Sequence, residues 1–125
     1  MRTGEHRNSI AWQKGMQLCA AVYKLTKRFS SDERFGLTNQ LRRAAVSVPS
    51  NIAEGKGRLS KGEMLHFWGI ARGSAMEVQT QLEIAEITGE GNRDEIQIAY
   101  GLAEEVVRIL NASITTSRRE RKSNV

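Results

Sequence analysis

The sequence predicts an all-α protein, an up-down-up-down antiparallel four-helix bundle with a proline kink in its second helix. Three observations lead there. Four stretches carry apolar residues at alternating three- and four-residue steps, the period of a helix with one buried face. Short clusters of glycine, serine, asparagine and aspartate separate them, which suits helices that turn back on their neighbours. The 125 residues hold a single proline and few clusters of β-branched residues.

Residues 1–8 are polar and basic and are expected to be loose. Ser9 is a plausible N-cap for a first helix running to about Phe29. Trp12, Met16, Cys19, Tyr23 and Thr26 make one row on it, and Leu18, Val22, Leu25 and Phe29 the next. Together they predict a broad apolar face. Residues 30–36 hold turn formers and Gly36, which break the pattern.

The second helix starts at Leu37. Leu41, Ala44 or Ala45, Val48 and Ile52 follow on one side. Pro49 sits inside this pattern. It removes a backbone donor and crowds the preceding turn, at about 3 kcal/mol in a regular helix. The chain is therefore expected to bend there, or to restart a helix with Pro49 in its first turn. The helix ends near Gly55.

Ser60-Lys61-Gly62-Glu63 has the form of a capping box and opens the third helix. Met64, Trp68, Ala71, Ala75, Val78, Leu82 and Ala85 repeat on it, and it stops near Gly89. Gly69 and Gly73 lie inside it, each costing about 1 kcal/mol against alanine, and would permit a close helix approach. Asn92-Arg93-Asp94-Glu95 is a second capping box in form. The fourth helix carries Ile96, Tyr100, Ala103, Val107, Leu110 and Ile114 on one row. The expected bundle spans 9–116, with a flexible basic tail over 117–125.

Composition narrows the function. No apolar run approaches the ~20 residues that cross a bilayer. The start of the chain shows no apolar signal core, and the lone Cys19 has no partner for a disulfide, so a cytoplasmic protein is expected. The net charge is +5. Residues 1–60 hold 11 Lys/Arg against 4 Asp/Glu, and residues 61–125 hold 8 against 10. A basic first half points to nucleic acid, with a solvated helix face as the plain alternative.

No enzyme site emerges. His6 and His66 lack companions at metal-ligand spacing, and Cys19 falls on an apolar row, as a structural thiol does. The segment Gly55–Gly62 fails as a phosphate loop: Glu63 stands where lysine belongs, and a helix precedes it rather than a strand. It remains a glycine-rich basic loop at a helix start, able to receive an anion, or a plain turn. Glu54 and Glu77 lack the Glu-x-x-His pattern of a bundle metal site. Asn51 and Ser74 are further polar residues without an assigned role; Glu77 and Gln81, one turn apart beside the apolar row of the third helix, read as a register-fixing network or a subunit contact. Trp12, Trp68 and Tyr100 lie on core rows; Phe67 is the aromatic expected to reach an interface. No catalytic residue, metal or cofactor is expected.

Longer strings carry a resemblance. Ala11-Trp12-Gln13-Lys14, Phe35-Gly36-Leu37-Thr38, the run from Gln40 to Gly55 (QLRRAAVSVPSNIAEG), and Phe67-Trp68-Gly69-Ile70-Ala71-Arg72-Gly73-Ser74 through Glu77, Gln81 and Leu82 closely resemble the bacterial intervening-sequence proteins of 23S ribosomal RNA, also called S23 ribosomal proteins. It covers roughly residues 10–115. The resemblance implies a four-helix bundle that assembles as a ring-like homopentamer. Related proteins are accessory subunits of the reverse transcriptases of diversity-generating retroelements, so nucleic acid and a polymerase are implied partners. No catalytic residues are implied. Gly69, Gly73 and the basic tail depart mildly from the family's pattern.

The residues expected to meet phosphates are Arg42, Arg43, Lys56 and Arg58, joined by Arg118, Arg119, Arg121 and Lys122. The expected function is a non-enzymatic, homo-oligomeric nucleic-acid-binding accessory protein. The alternative is a protein-interaction scaffold that spends its basic residues on subunit or polymerase contacts.

Overall fold

Each helix begins where the sequence supplies an acceptor for its free N–H groups. The computed structural model of the protein describes residues 2–123, with side chains from 2 to 120. Its helices are α1 (Ile10–Thr26), α2 (Leu37–Lys56), α3 (Lys61–Thr88) and α4 (Arg93–Ser123). They hold 17, 20, 28 and 31 residues. No strand occurs among the described residues. Ser9 caps α1 by accepting from the Trp12 N–H, Ser60 caps α3 through the Glu63 N–H, and Asn92 caps α4 through the Glu95 N–H. The Glu63 carboxylate accepts from the Ser60 hydroxyl. The Glu95 carboxylate reaches across to Lys24 and Arg28 of α1 instead. Gly89 and Gly91, at φ of 75° and 76°, shape the turn from α3 to α4.

Neighbours in space are neighbours in sequence, with α1 closing the ring against α4; no Cα of α1 comes within 8 Å of α3, nor of α2 within 8 Å of α4. Cross-helix contacts run in opposite chain directions. Lys14 meets Glu105 while Lys24 meets Glu95. Lys61 meets Glu120, and Arg93 meets Glu86. Leu18, Val22 and Leu25 of α1, Leu41, Val48 and Ile52 of α2, Val78 and Leu82 of α3, and Val106 and Leu110 of α4 fill the centre. The broad face expected on the first helix is narrower. Met16 and Tyr23 are 47% and 42% exposed, because the row of Leu18, Val22 and Leu25 takes the centre.

α2 runs unbroken through Pro49. Pro49 has no N–H to offer the Ala45 carbonyl, four residues back. The Cys19 thiol of α1 donates to that carbonyl at 3.0 Å. The proline ring lies over Gly15 of α1, where a Cβ would stand 3.3 Å from Pro49 Cβ. α1 thus supplies both a donor and the space for the ring. Burial pushes the Cys19 thiol from an ordinary 9.0 up to about 11, which keeps the donating proton in place. On the other side of α2, Asn51 Nδ2 donates to the Ser47 carbonyl and hydroxyl, and Ser47 shares a 2.8 Å hydrogen bond with Ser74 of α3. Gln81, 5% exposed, donates to Glu77 one turn earlier.

Two segments differ from expectation. Residues 5–8 form a 3-10 turn, with His6 edge-on to Trp12 and Arg7 over its ring. α4 passes the expected end of the bundle at 116 and stays helical to Ser123. Arginine, lysine and glutamate are good helix formers. Ser117 is buried, and Glu120 is held by Lys61.

The thiol bridge can be tested directly. Cys19→Ala should cost about 1–2 kcal/mol in urea unfolding, from a lost donor and a small cavity, whereas Cys19→Ser should recover much of the loss. The thiol has its raised value only when folded. Its contribution is complete below pH 9 and falls as pH rises towards 11. The stability difference between wild type and Cys19→Ser should therefore shift against wild type across that window; a constant difference would refute the burial.

Candidate nucleic-acid interface

An α-helix advances 1.5 Å per residue, so Arg42 and Lys56 stand about 21 Å apart along α2. The four basic residues expected around the second helix therefore divide into two groups. Arg42 and Arg43 lie along the side of the bundle, and Lys56 and Arg58 lie at one end.

Arg42 is anchored. Its Nε donates to the Thr26 hydroxyl at 2.8 Å, and its guanidinium carbon sits 4.7 Å from the Tyr23 ring centroid. Thr26, itself buried, donates onward to the Val22 carbonyl. The arginine is held against α1 by these two contacts. Arg43 is exposed and borders two clefts. One faces Tyr23, Asn39, Val46 and Ser50; the other faces Gln40, Ser47, Ser74 and Glu77.

The end of the bundle gathers charge from three helices. Arg58 pairs with Glu54 at 2.8 Å and lies over Phe67, with its guanidinium carbon 4.5 Å from the ring centroid. Phe67, expected at an interface, is thus the platform that holds Arg58. Lys56 Nζ lies 5.7 Å from the Trp68 ring centroid. Lys61 reaches Glu120 at 2.8 Å, bringing the last turns of α4 beside the start of α3. Arg118 and Arg119 are exposed there. The side chains of Arg121 and Lys122 lie outside the described residues. Segments 54–63 and 118–122 hold seven Lys/Arg against three Asp/Glu. At the opposite end, segments 24–34 and 83–95 hold five against seven. The molecule has a basic pole and an acidic one.

Sequence reasoning left Lys61 out of the residues expected to meet phosphates, although it lies in the glycine-rich basic segment Gly55–Gly62. Its place beside Glu120 depends on how far α4 extends, and no local pattern reports that. His66 contacts Phe67 edge-on. Among the described residues, no group of three or more His, Cys, Asp or Glu gathers as a metal would require. No helix among them is long and apolar enough to cross a membrane.

Comparison with known proteins agrees with this architecture. The model of the family described as 23S rRNA-intervening sequence protein matches residues 7–112. Among solved structures, the chain is similar to a protein of unknown function from the S23 ribosomal protein family of Bacteroides thetaiotaomicron VPI-5482. The TM-score is 0.78 at 20% identity, over 85% of this chain and 96% of that one. That likeness establishes a shared fold. No curated protein matches the chain.

The Lys61–Glu120 pair is exposed and single, worth less than about 1 kcal/mol. Glu120→Ala should leave the urea midpoint nearly unchanged yet speed amide hydrogen exchange from Ser117 to Glu120. Unchanged exchange there would show that the pair does not hold the end of α4.

Proposed function

The chain belongs to the 23S rRNA-intervening sequence protein family, and from its charge layout we propose a non-enzymatic nucleic-acid-binding accessory protein that works as a homo-oligomer. The observation that carries this reading is the basic pole. Lys56, Arg58, Lys61, Arg118 and Arg119 come from three helices to one end. Phe67 and Trp68 support two of them from below. Such an array suits a phosphate backbone and carries no base-edge readout, so binding is salt-sensitive and weakly sequence-selective. Structured RNA is the first ligand to examine, and a reverse transcriptase is a further partner to test.

Self-assembly rests on the outer side of α3. Gly69, Gly73, Met76, Thr80, Ile84 and Ile87 form an uncharged stripe directed away from the core. Met76, Ile84 and Ile87 are 44%, 42% and 84% exposed. A Cβ at Gly69 or Gly73 would meet nothing within 4 Å. Within the chain, these two glycines weaken the helix and relieve no crowding. A second copy lying close against α3 accounts for them. Arg42 favours a protein role for the side group: a guanidinium fixed on Tyr23, beside exposed Val46, suits an acidic side chain of a neighbouring subunit.

Two experiments separate these roles. Arg118→Ala with Arg119→Ala should weaken RNA binding and lower the salt slope by about one to two, with particle mass constant. Arg42→Ala with Arg43→Ala should reduce particle mass more than it reduces RNA binding per particle. Unaltered RNA binding in the first variant would sink the basic-pole reading. Gly73→Ala should raise the stability of the dissociated chain by up to about 1 kcal/mol while lowering the assembled fraction in sedimentation; a gain in both would remove α3 from the interface.

A further inference from the structure

The four helices leave a cavity of about 260 Å³ near the start of α1. Ile52 of α2 and Ile109 and Leu110 of α4 contribute apolar walls. Trp68, Lys56 and Ser113 line it as well. Trp68 is only 8% exposed, and its Nε1 is sealed from the cavity.

The indole is hemmed in against α2. Its Cδ1–Nε1 edge occupies the space that a side chain at Gly55 would need, 2.8–2.9 Å from the ideal Cβ position. Lys56 stands over the same ring, and among the described residues no carboxylate lies within ion-pair distance of it. Apolar walls and a cation with no carboxylate partner among the described residues therefore meet at one place. Apolar walls with a few convergent polar groups are the pattern of a small-molecule site. The volume equals that of about nine waters at ~30 Å³ each, room for a chain of about six to eight carbons.

We propose that this cavity binds a small amphipathic carboxylate, with its apolar body between Ile52, Ile109 and Leu110 and its carboxylate held by Lys56. The cation selects an anion over a neutral molecule. The walls select an aliphatic or aromatic body over inorganic phosphate, which has none. This site does not depend on nucleic-acid binding, although it shares Lys56 with the basic pole.

The test uses the full chain with Trp12→Phe, which leaves Trp68 as the single tryptophan. Octanoate, octanol and inorganic phosphate are titrated separately, read by Trp68 fluorescence and by calorimetry. Octanoate should bind saturably, and octanol and phosphate about tenfold more weakly or not at all. Lys56→Gln should erase the preference for the acid over the alcohol. Ile109→Phe, which fills the chamber, should abolish binding with helical circular dichroism retained; Ser113→Leu serves the same purpose if that variant fails to fold. No saturable response to octanoate up to about 5 mM would overturn the proposal and leave the chamber to water. Equal binding of acid and alcohol, unaltered in Lys56→Gln, would overturn it too.

Discussion

The contact between Pro49 and α1 is the constraint around which the bundle is arranged. A proline deep in a helix leaves a carbonyl without its donor and pushes a ring outward. Here both consequences point at α1. Gly15 clears the space and Cys19 supplies the proton. These two residues are one turn apart, so they fix the rotation and the height of α1 against α2 together. With α1 set, its row of Leu18, Val22 and Leu25 takes the centre, and the row bearing Met16 and Tyr23 turns outward. Tyr23 in that place is what gives the Arg42 guanidinium a ring to lie over.

The helices were legible in the sequence because the signals for them are local. Ser9, Ser60 and Asn92 cap the helices whose starts they marked. The rows of α2 and α3 are buried nearly as their spacing indicates, with Met64 and Leu37 only partly so. What the sequence left open needed tertiary context. Trp12, Met16 and Tyr23 are apolar at helical spacing, and nothing in one helix says which of two adjacent apolar rows its neighbours will cover. Arg42 and Lys56 stand apart for a simpler reason. Residues close in sequence are far apart when a helix lies between them.

The candidate site was less legible than the fold. Basic residues on α2, on the turn after it and on α4 were each visible, but their meeting depends on the direction in which α4 returns. Glu120 is the informative residue. Read alone it interrupts a basic run; paired with Lys61 it fastens that run to the start of α3. Acidic residues at a basic surface thus serve to aim their neighbours as well as to neutralise them.

The unequal lengths of the helices have a geometric consequence. At 1.5 Å per residue, α4 with 31 residues and α3 with 28 exceed α1 with 17 and α2 with 20. The acidic ends of α1 and α4 are level, where Lys24 meets Glu95. The surplus length of α4 therefore falls at the other end. One end of the molecule is blunt and the other is a terrace, with a long hairpin standing above a shorter one. A rod-shaped ligand that docks on a terrace meets a tread and a riser, and these define a heading as well as a position.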